Sequence, residues 1–235
     1  MKIIDRKTGK RIVDPSKKKI NKLLKELDPI QRNALKGGEL EEHSPMDPPE
    51  AYDSSLVVEG VKYEDMHPLL QGFMDEHKVS IKKLEQFEKT LIEFKKSNFT
   101  ITREANEIFS TFFQFFDDNI MEHNQREEKR FFPLLHQKLI ESGEKGEGES
   151  PQTAVDMMED DHIKFIQLGS LTFNILGLAT RLPDDHSRAL AFDVAYNNGM
   201  ELIELLRLHI YREDNILFPL AHQLISTEEF VELTK

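Results

Sequence analysis

The sequence predicts an all-α protein: a four-helix bundle preceded by an N-terminal helical and extended arm. Three observations predict it. Four long stretches carry apolar residues at three- and four-residue intervals, the spacing of one helix face. A fifteen-residue phrase is written twice, HNQREEKRFFPLLHQ at 123–137 and HIYREDNILFPLAHQ at 209–223, with eight positions identical at an offset of 86 residues. Each copy is preceded by a further stretch with one His in its stripe, His77 lying 46 residues before His123 and His162 lying 47 before His209. The repeating unit is therefore a helix with one His followed by a helix with His-x-x-x-Glu, present twice.

The elements follow in order. Residues 1–62 form the arm. Asp14-Pro15-Ser16 opens a short amphipathic helix through Ile20, Leu23, Leu24 and Leu27, which Asp28-Pro29 interrupts. Gly37-Gly38, Ser44-Pro45 and Asp47-Pro48-Pro49 then mark a linker running to about Gly60. The bundle is expected over 63–228 and a C-terminal tail over 229–235.

The first bundle helix is predicted to begin between Glu64 and Pro68, since proline is tolerated in a first turn, and to end near Lys96. Its stripe is Leu70, Phe73, Met74, His77, Ile81, Leu84, Phe87, Leu91 and Phe94. The second begins near Thr102 and reads Phe109, Phe112, Phe113, Phe116, Ile120, His123 and Glu127, with Pro133 expected to kink or locally disrupt it one to two turns beyond Glu127. The third begins at Pro151, reads Val155, Met158, His162, Phe165, Ile166, Gly169, Phe173 and Leu176, and ends near Leu182-Pro183. The fourth begins at Asp184-Asp185 and reads Ala195, Gly199, Leu202, Leu206, His209, Glu213, Ile216, Leu217 and Leu220.

Composition narrows the chemistry. The 235 residues include no Cys, which excludes disulfides, thiolate nucleophiles and thiolate-held iron–sulfur clusters, so any metal must be held by nitrogen and oxygen. No apolar run is long enough to span a bilayer, and the charged start MKIIDRKTGKR lacks the core of a signal peptide, so the expected location is the cytoplasm. Residues 1–36 carry twelve Lys and Arg against four Asp and Glu, whereas the whole chain has a net charge of −12. A basic arm on an acidic body is expected to dock on it rather than on nucleic acid.

His77, His123, His162 and His209 all fall where spacing demands a core residue, and Glu127 and Glu213 each stand one helical turn after a His, on the same face. A lone His on an apolar face is usually a satisfied core residue. Six such groups in one core are not, because each unpaired group would cost about 1–3 kcal/mol, and a metal removes that cost. Four imidazoles and two carboxylates fit a pair of borderline cations bridged by the carboxylates, with iron the first choice; structural zinc favours a closed set of four ligands. Tyr63, His67 and Glu159 are polar neighbours with ordinary structural readings, and His136 and His222 read as helix-end groups.

The motif H-x-x-x-E-[DE]-x-x-x-F-P-L, found twice, together with the His helix and the D-D-H helix, resembles the hemerythrin-like, or HHE cation-binding, family over roughly residues 64–226. The resemblance implies a hemerythrin-like up-down-up-down four-helix bundle with a non-heme di-iron centre, its two irons joined by an oxo or hydroxo bridge. One iron would take two of the His and the other iron the remaining two, with Glu127 and Glu213 bridging; which His pair together stays open at this point. Asp214 rivals Glu213, because oxygen carriers of the family use a carboxylate five residues after this His, but helical geometry favours Glu213. Those carriers also have a further His at the position of Ile166, so this chain resembles the four-His, two-Glu branch. Fewer imidazoles imply open coordination positions and chemistry with oxygen, peroxide or nitric oxide. The family's thiol-based repair role does not carry over to a chain without Cys. The alternative is a gas- or iron-responsive sensor or carrier without turnover, signalling through the arm. Sustained catalysis would require a reductase partner.

Overall fold

In a computed structural model of the chain, residues 61–146 and 152–233 are described; the arm and the linker expected over 1–60 lie outside them. Among the described residues the chain is helical throughout, without strands, as the sequence predicts. The first bundle helix, α1 (Pro68–Lys96), starts where expected: His67 accepts a hydrogen bond from the Leu69 N–H and Pro68 occupies a position that needs no N–H. It ends in two left-handed residues, Asn98 and Phe99, and the Phe99 N–H closes the turn on the Phe94 carbonyl at 2.8 Å.

The second bundle helix is assembled from α2 (Arg103–Phe115), α3 (Met121–Arg126) and α4 (Phe132–Ser142), joined by π-helical turns at Phe116–Ile120 and Glu127–Phe131. The third is α5 (Ala154–Ala179), opened by a reciprocal cap between Thr153 and Asp156. The fourth is α6 (Asp185–Arg212), capped by Asp184, and it continues through a π turn at Glu213–Leu217 into α7 (Phe218–Leu224). A last helix, α8 (Thr227–Leu233), follows.

The local disruption expected at Pro133 takes the form of a π turn, and Pro219 has the same one: the Phe132 N–H reaches the Glu127 carbonyl and the Phe218 N–H reaches the Glu213 carbonyl, five residues back. The extra residue per turn absorbs the N–H that proline lacks, so the helix runs on with its face re-phased. Residues 229–233, read as tail, belong to α8, because Phe230 is buried in the core and stacks on His67 at 4.3 Å.

The apolar stripes meet in two separate cores. One gathers Leu84, Phe87, Leu91, Phe109, Phe112, Phe116, Phe165, Leu202 and Leu206, with Phe87 stacked on Phe112 at 3.8 Å. The other gathers Leu70, Phe73, Phe131, Phe132, Leu135, Met158, Leu217, Phe218 and Phe230. Between them lies the polar layer of the buried histidines and glutamates. Ile166 and Phe173, assigned by spacing to the third stripe, are exposed, at 44% and 57%. The stripe of α5 is narrower than its composition implies, and it runs through Gly169 and the buried Thr172.

At Gly169 a Cβ would stand 2.9 Å from the Phe116 ring, which is itself buried in a π turn. Gly169→Ala is therefore expected to destabilise the protein by about 1–3 kcal/mol despite alanine's better helix propensity. Denaturant unfolding checks this, and an unchanged midpoint would mean that the Phe116 ring can yield.

Candidate metal centre

All six sequence-selected residues converge in the central layer. His77, His123, Glu127 and Glu213 offer atoms within 4.8 Å of one another, and so do Glu127, His162, His209 and Glu213. In space His77 lies with His123 and His162 with His209, and both carboxylates belong to both groups. All six side chains are buried, Glu127 and Glu213 completely.

The ring orientations decide what the site can do. The Nδ1–H of His77 donates to Asp214 at 2.7 Å, that of His123 to Glu76 at 2.7 Å, and that of His162 to Glu128 at 2.8 Å. A carboxylate can only accept, so these bonds place a proton on Nδ1 and, in the neutral imidazole, keep the lone pair on Nε2. His209 Nδ1 faces the Asp161 carboxylate at 3.7 Å, and Arg212 donates to that same carboxylate at 3.2 Å. In both pairs Nε2 points at Nε2, at 3.0 Å between His77 and His123 and at 3.2 Å between His162 and His209. Two protonated Nε2 atoms at that distance repel, as do two lone pairs, whereas about 3 Å is the spacing of neighbouring nitrogen ligands each roughly 2 Å from one cation.

The carboxylates point to the same conclusion. Glu213 Oε2 lies 3.2 Å from both His77 Nε2 and His209 Nε2, while Glu127 Oε1 lies 3.3 Å from His123 Nε2 and Glu127 Oε2 lies 3.7 Å from His162 Nε2. None of the four carboxylate oxygens of Glu127 and Glu213 makes a well-directed hydrogen bond although all are buried. Such atoms are costly unless something positive lies between them. The donor set, four imidazole nitrogens and four carboxylate oxygens, is able to bind metal.

Asp214, the rival to Glu213, falls outside both groups and serves His77 instead. The partners Glu76, Glu128 and Asp161 escaped sequence reasoning, although each sits beside one of the six. Glu76 and Asp161 immediately precede a His, and Glu128 immediately follows Glu127. Arg126 holds Glu76 as Arg212 holds Asp161, which preserves the internal symmetry. The other polar candidates lie elsewhere: the Tyr63 hydroxyl donates to Asp75, His67 caps α1, half-buried Glu159 is in neither group, His136 pairs with Thr153, and His222 sits beyond the π turn on α7.

A surface cleft of about 390 Å³, lined by Glu76, Ser80, Asn119, Glu122, His123 and Arg126 among others, reaches His123. A small cavity of about 20 Å³ lies deeper against His77, His123 and His209, and shares Ser80 with the cleft. Phe132 and Phe165 flank His162, with ring centroids at 5.6 and 5.9 Å.

Electrostatics predict how the metal-free chain titrates. Burial opposes charging of His77, but Asp214 and Glu213 outweigh it and raise its pKa to about 9. His123 rises to about 10, with Glu127 and Glu76 outweighing burial, and His209 to about 9 through Glu213 and Asp161. His162 is lowered, by burial and then by the charge on His209. Glu213 is held well below the ordinary carboxylate value, the charged imidazoles of His209 and His77 outweighing its burial. A raised pKa stabilises the fold fully below the unfolded value of 6.5, and that contribution is lost as pH climbs through about 9 to 10. The metal-free protein should therefore lose thermal stability between pH 6.5 and 10, whereas metal uptake near pH 7 should release protons. Calorimetric titration in buffers of different ionisation enthalpy measures that release; none would mean that the imidazoles are already neutral.

The hemerythrin HHE cation binding domain family matches residues 68–221, which span α1 to α7. No curated protein and no solved structure gave a match.

Proposed function

Because the chain belongs to the hemerythrin HHE cation-binding family, we propose that its central layer holds two iron ions and binds or reacts with dioxygen, peroxide or nitric oxide. His77 and His123 hold one ion, His162 and His209 the other, and Glu127 and Glu213 span both. The observation that carries this reading is the convergence of Nε2 atoms at 3.0 and 3.2 Å, with buried carboxylate oxygens that make no well-directed hydrogen bond beside them. Without Cys, and with six ligands rather than a closed four, the set favours iron over structural zinc.

When bound, iron supplies a redox couple and coordination positions for a small ligand. The chain contributes the rest. Asp214, Glu76 and Glu128 fix the tautomer and aim of three imidazoles, and Asp161 stands ready at the fourth. Phe218, stacked on His77 at 5.7 Å, and Phe132 beside His162 keep bulk water from the ligand nitrogens. Four imidazoles shared between two ions leave coordination positions unfilled by protein. Sustained turnover would draw on a reductase partner.

The test begins with elemental mass spectrometry of the full chain from iron-supplemented culture, where about two irons per chain are expected. Consumption of peroxide or nitric oxide under a reductant then establishes turnover; a stoichiometric spectral change alone would assign the chain to ligand sensing or carriage. Absence of iron, or zinc indifferent to loss of the glutamates, would overturn the proposal.

A further inference from the structure

We propose that Asn124 is the residue that selects and orients the small ligand at this centre, by donating a hydrogen bond from its side-chain amide to the ligand's free end. The inference rests on the metal-centre reading above and adds a residue to it. Asn124 follows His123 in α3 and is 5% exposed. Its Nδ2 is fully buried and makes no hydrogen bond to protein. The same residue lines the cavity of about 20 Å³ whose wall includes His77, His123 and His209.

The remaining wall is Ser80, Ile120, Phe165, Leu206 and Ile210. The Ser80 hydroxyl is already committed to the Glu76 carbonyl at 3.0 Å, and the other four are apolar. Asn124 is thus the polar side chain of this wall, apart from the histidines, with a donor to spare. An unpaired buried donor is costly, and burying one beside a ligand position makes sense where an incoming acceptor satisfies it. The cavity holds little more than one water, so the species it admits is small: a diatomic or small anion with a lone pair on the atom farthest from the histidines. Ser80 also borders the surface cleft that reaches His123, which gives such a species a polar way in.

The experiment uses the full iron-loaded chain with azide as probe, comparing the parent with Asn124→Leu and Asn124→Asp. Both variants should keep the parent's iron content, since Asn124 is in neither ligand group. Azide should bind each variant about tenfold or more weakly, as expected for loss of a hydrogen bond to a charged ligand. The infrared band of bound azide should shift in deuterated water in the parent and not in Asn124→Leu, a signature that a packing role would not produce. Metal-free Asn124→Leu should melt no lower than the metal-free parent, because an unsatisfied donor has been removed. Equal azide affinity in all three proteins, or a deuterium shift that survives in Asn124→Leu, would overturn the assignment. Failure of the iron-loaded parent itself to bind azide would sink the open-site reading and this inference with it.

Discussion

Glu213→Ala is expected to strip both metal positions at once, taking iron from about two per chain to well under one, because its carboxylate is common to both ligand groups. His77→Ala touches one group only and should leave about one ion per chain, which separates loss of a bridge from loss of a terminal ligand. The loss should not be mistaken for unfolding. In the metal-free core Glu213 balances the charged imidazoles of His77 and His209, so its removal leaves two buried cations uncompensated and should lower the melting temperature of the metal-free protein near pH 7, and by less near pH 10, where those imidazoles are neutral. Melts of the metal-free variant and parent set that cost apart from the loss of iron, and the loaded parent melts higher than either by mass action. Elemental analysis beside thermal melts of the chelated proteins checks both statements. Retention of two irons by Glu213→Ala would exclude Glu213 as a bridge.

The largest purely structural effect is expected at Phe165. Its side chain is fully buried in the core that lies on one side of the polar layer, and its ring meets His209 edge-on at 4.9 Å and His162 at 5.9 Å. Phe165→Ala should cost about 3–5 kcal/mol, the usual range for deleting a buried ring and leaving a cavity. The deletion also enlarges the cavity against His77, His123 and His209, so iron should pass to a chelator faster than from the parent. Phe173→Ala, on the same helix but 57% exposed, should cost far less. Denaturant unfolding of the metal-free proteins and timed chelation of the loaded ones provide the readouts. Equal costs at the two positions would contradict the packing described for α5.

The sequence carried the fold and the six converging residues because both are periodic signals. A ligand that must point into a bundle core has to occupy a stripe position, and a His-Glu pair on one helix face has to be four apart, so the repeated phrase exposed all six. The carboxylates that orient the imidazoles were hidden for the converse reason. Glu76 and Asp161 lie one residue before their helix's own His, about 100° around, and each partners a His on a neighbouring helix. Adjacency in the sequence therefore points away from the pairing, and only packing reveals it. Pro133 and Pro219 announced a disturbance without its form, since a kink and a π turn both answer a missing N–H. Ile166 and Phe173 misled because a helix rich in apolar residues on several sides does not declare its inner face; Gly169, closed against Phe116, marks it better.

One π turn has no counterpart. Those at Glu127–Phe131 and Glu213–Leu217 match across the repeat, but Phe116–Ile120 lies upstream of His123, while the corresponding stretch upstream of His209 is uninterrupted α-helix. Around that unmatched turn Phe115 and Asn119 form part of the cleft wall that leads to His123. A chain that doubles its ligands faithfully thus surrounds them unequally. The cleft reaches His123 of one ligand group, so in a centre holding two ions the one at His77 and His123 would stand nearer that path and would be the one to meet an incoming molecule.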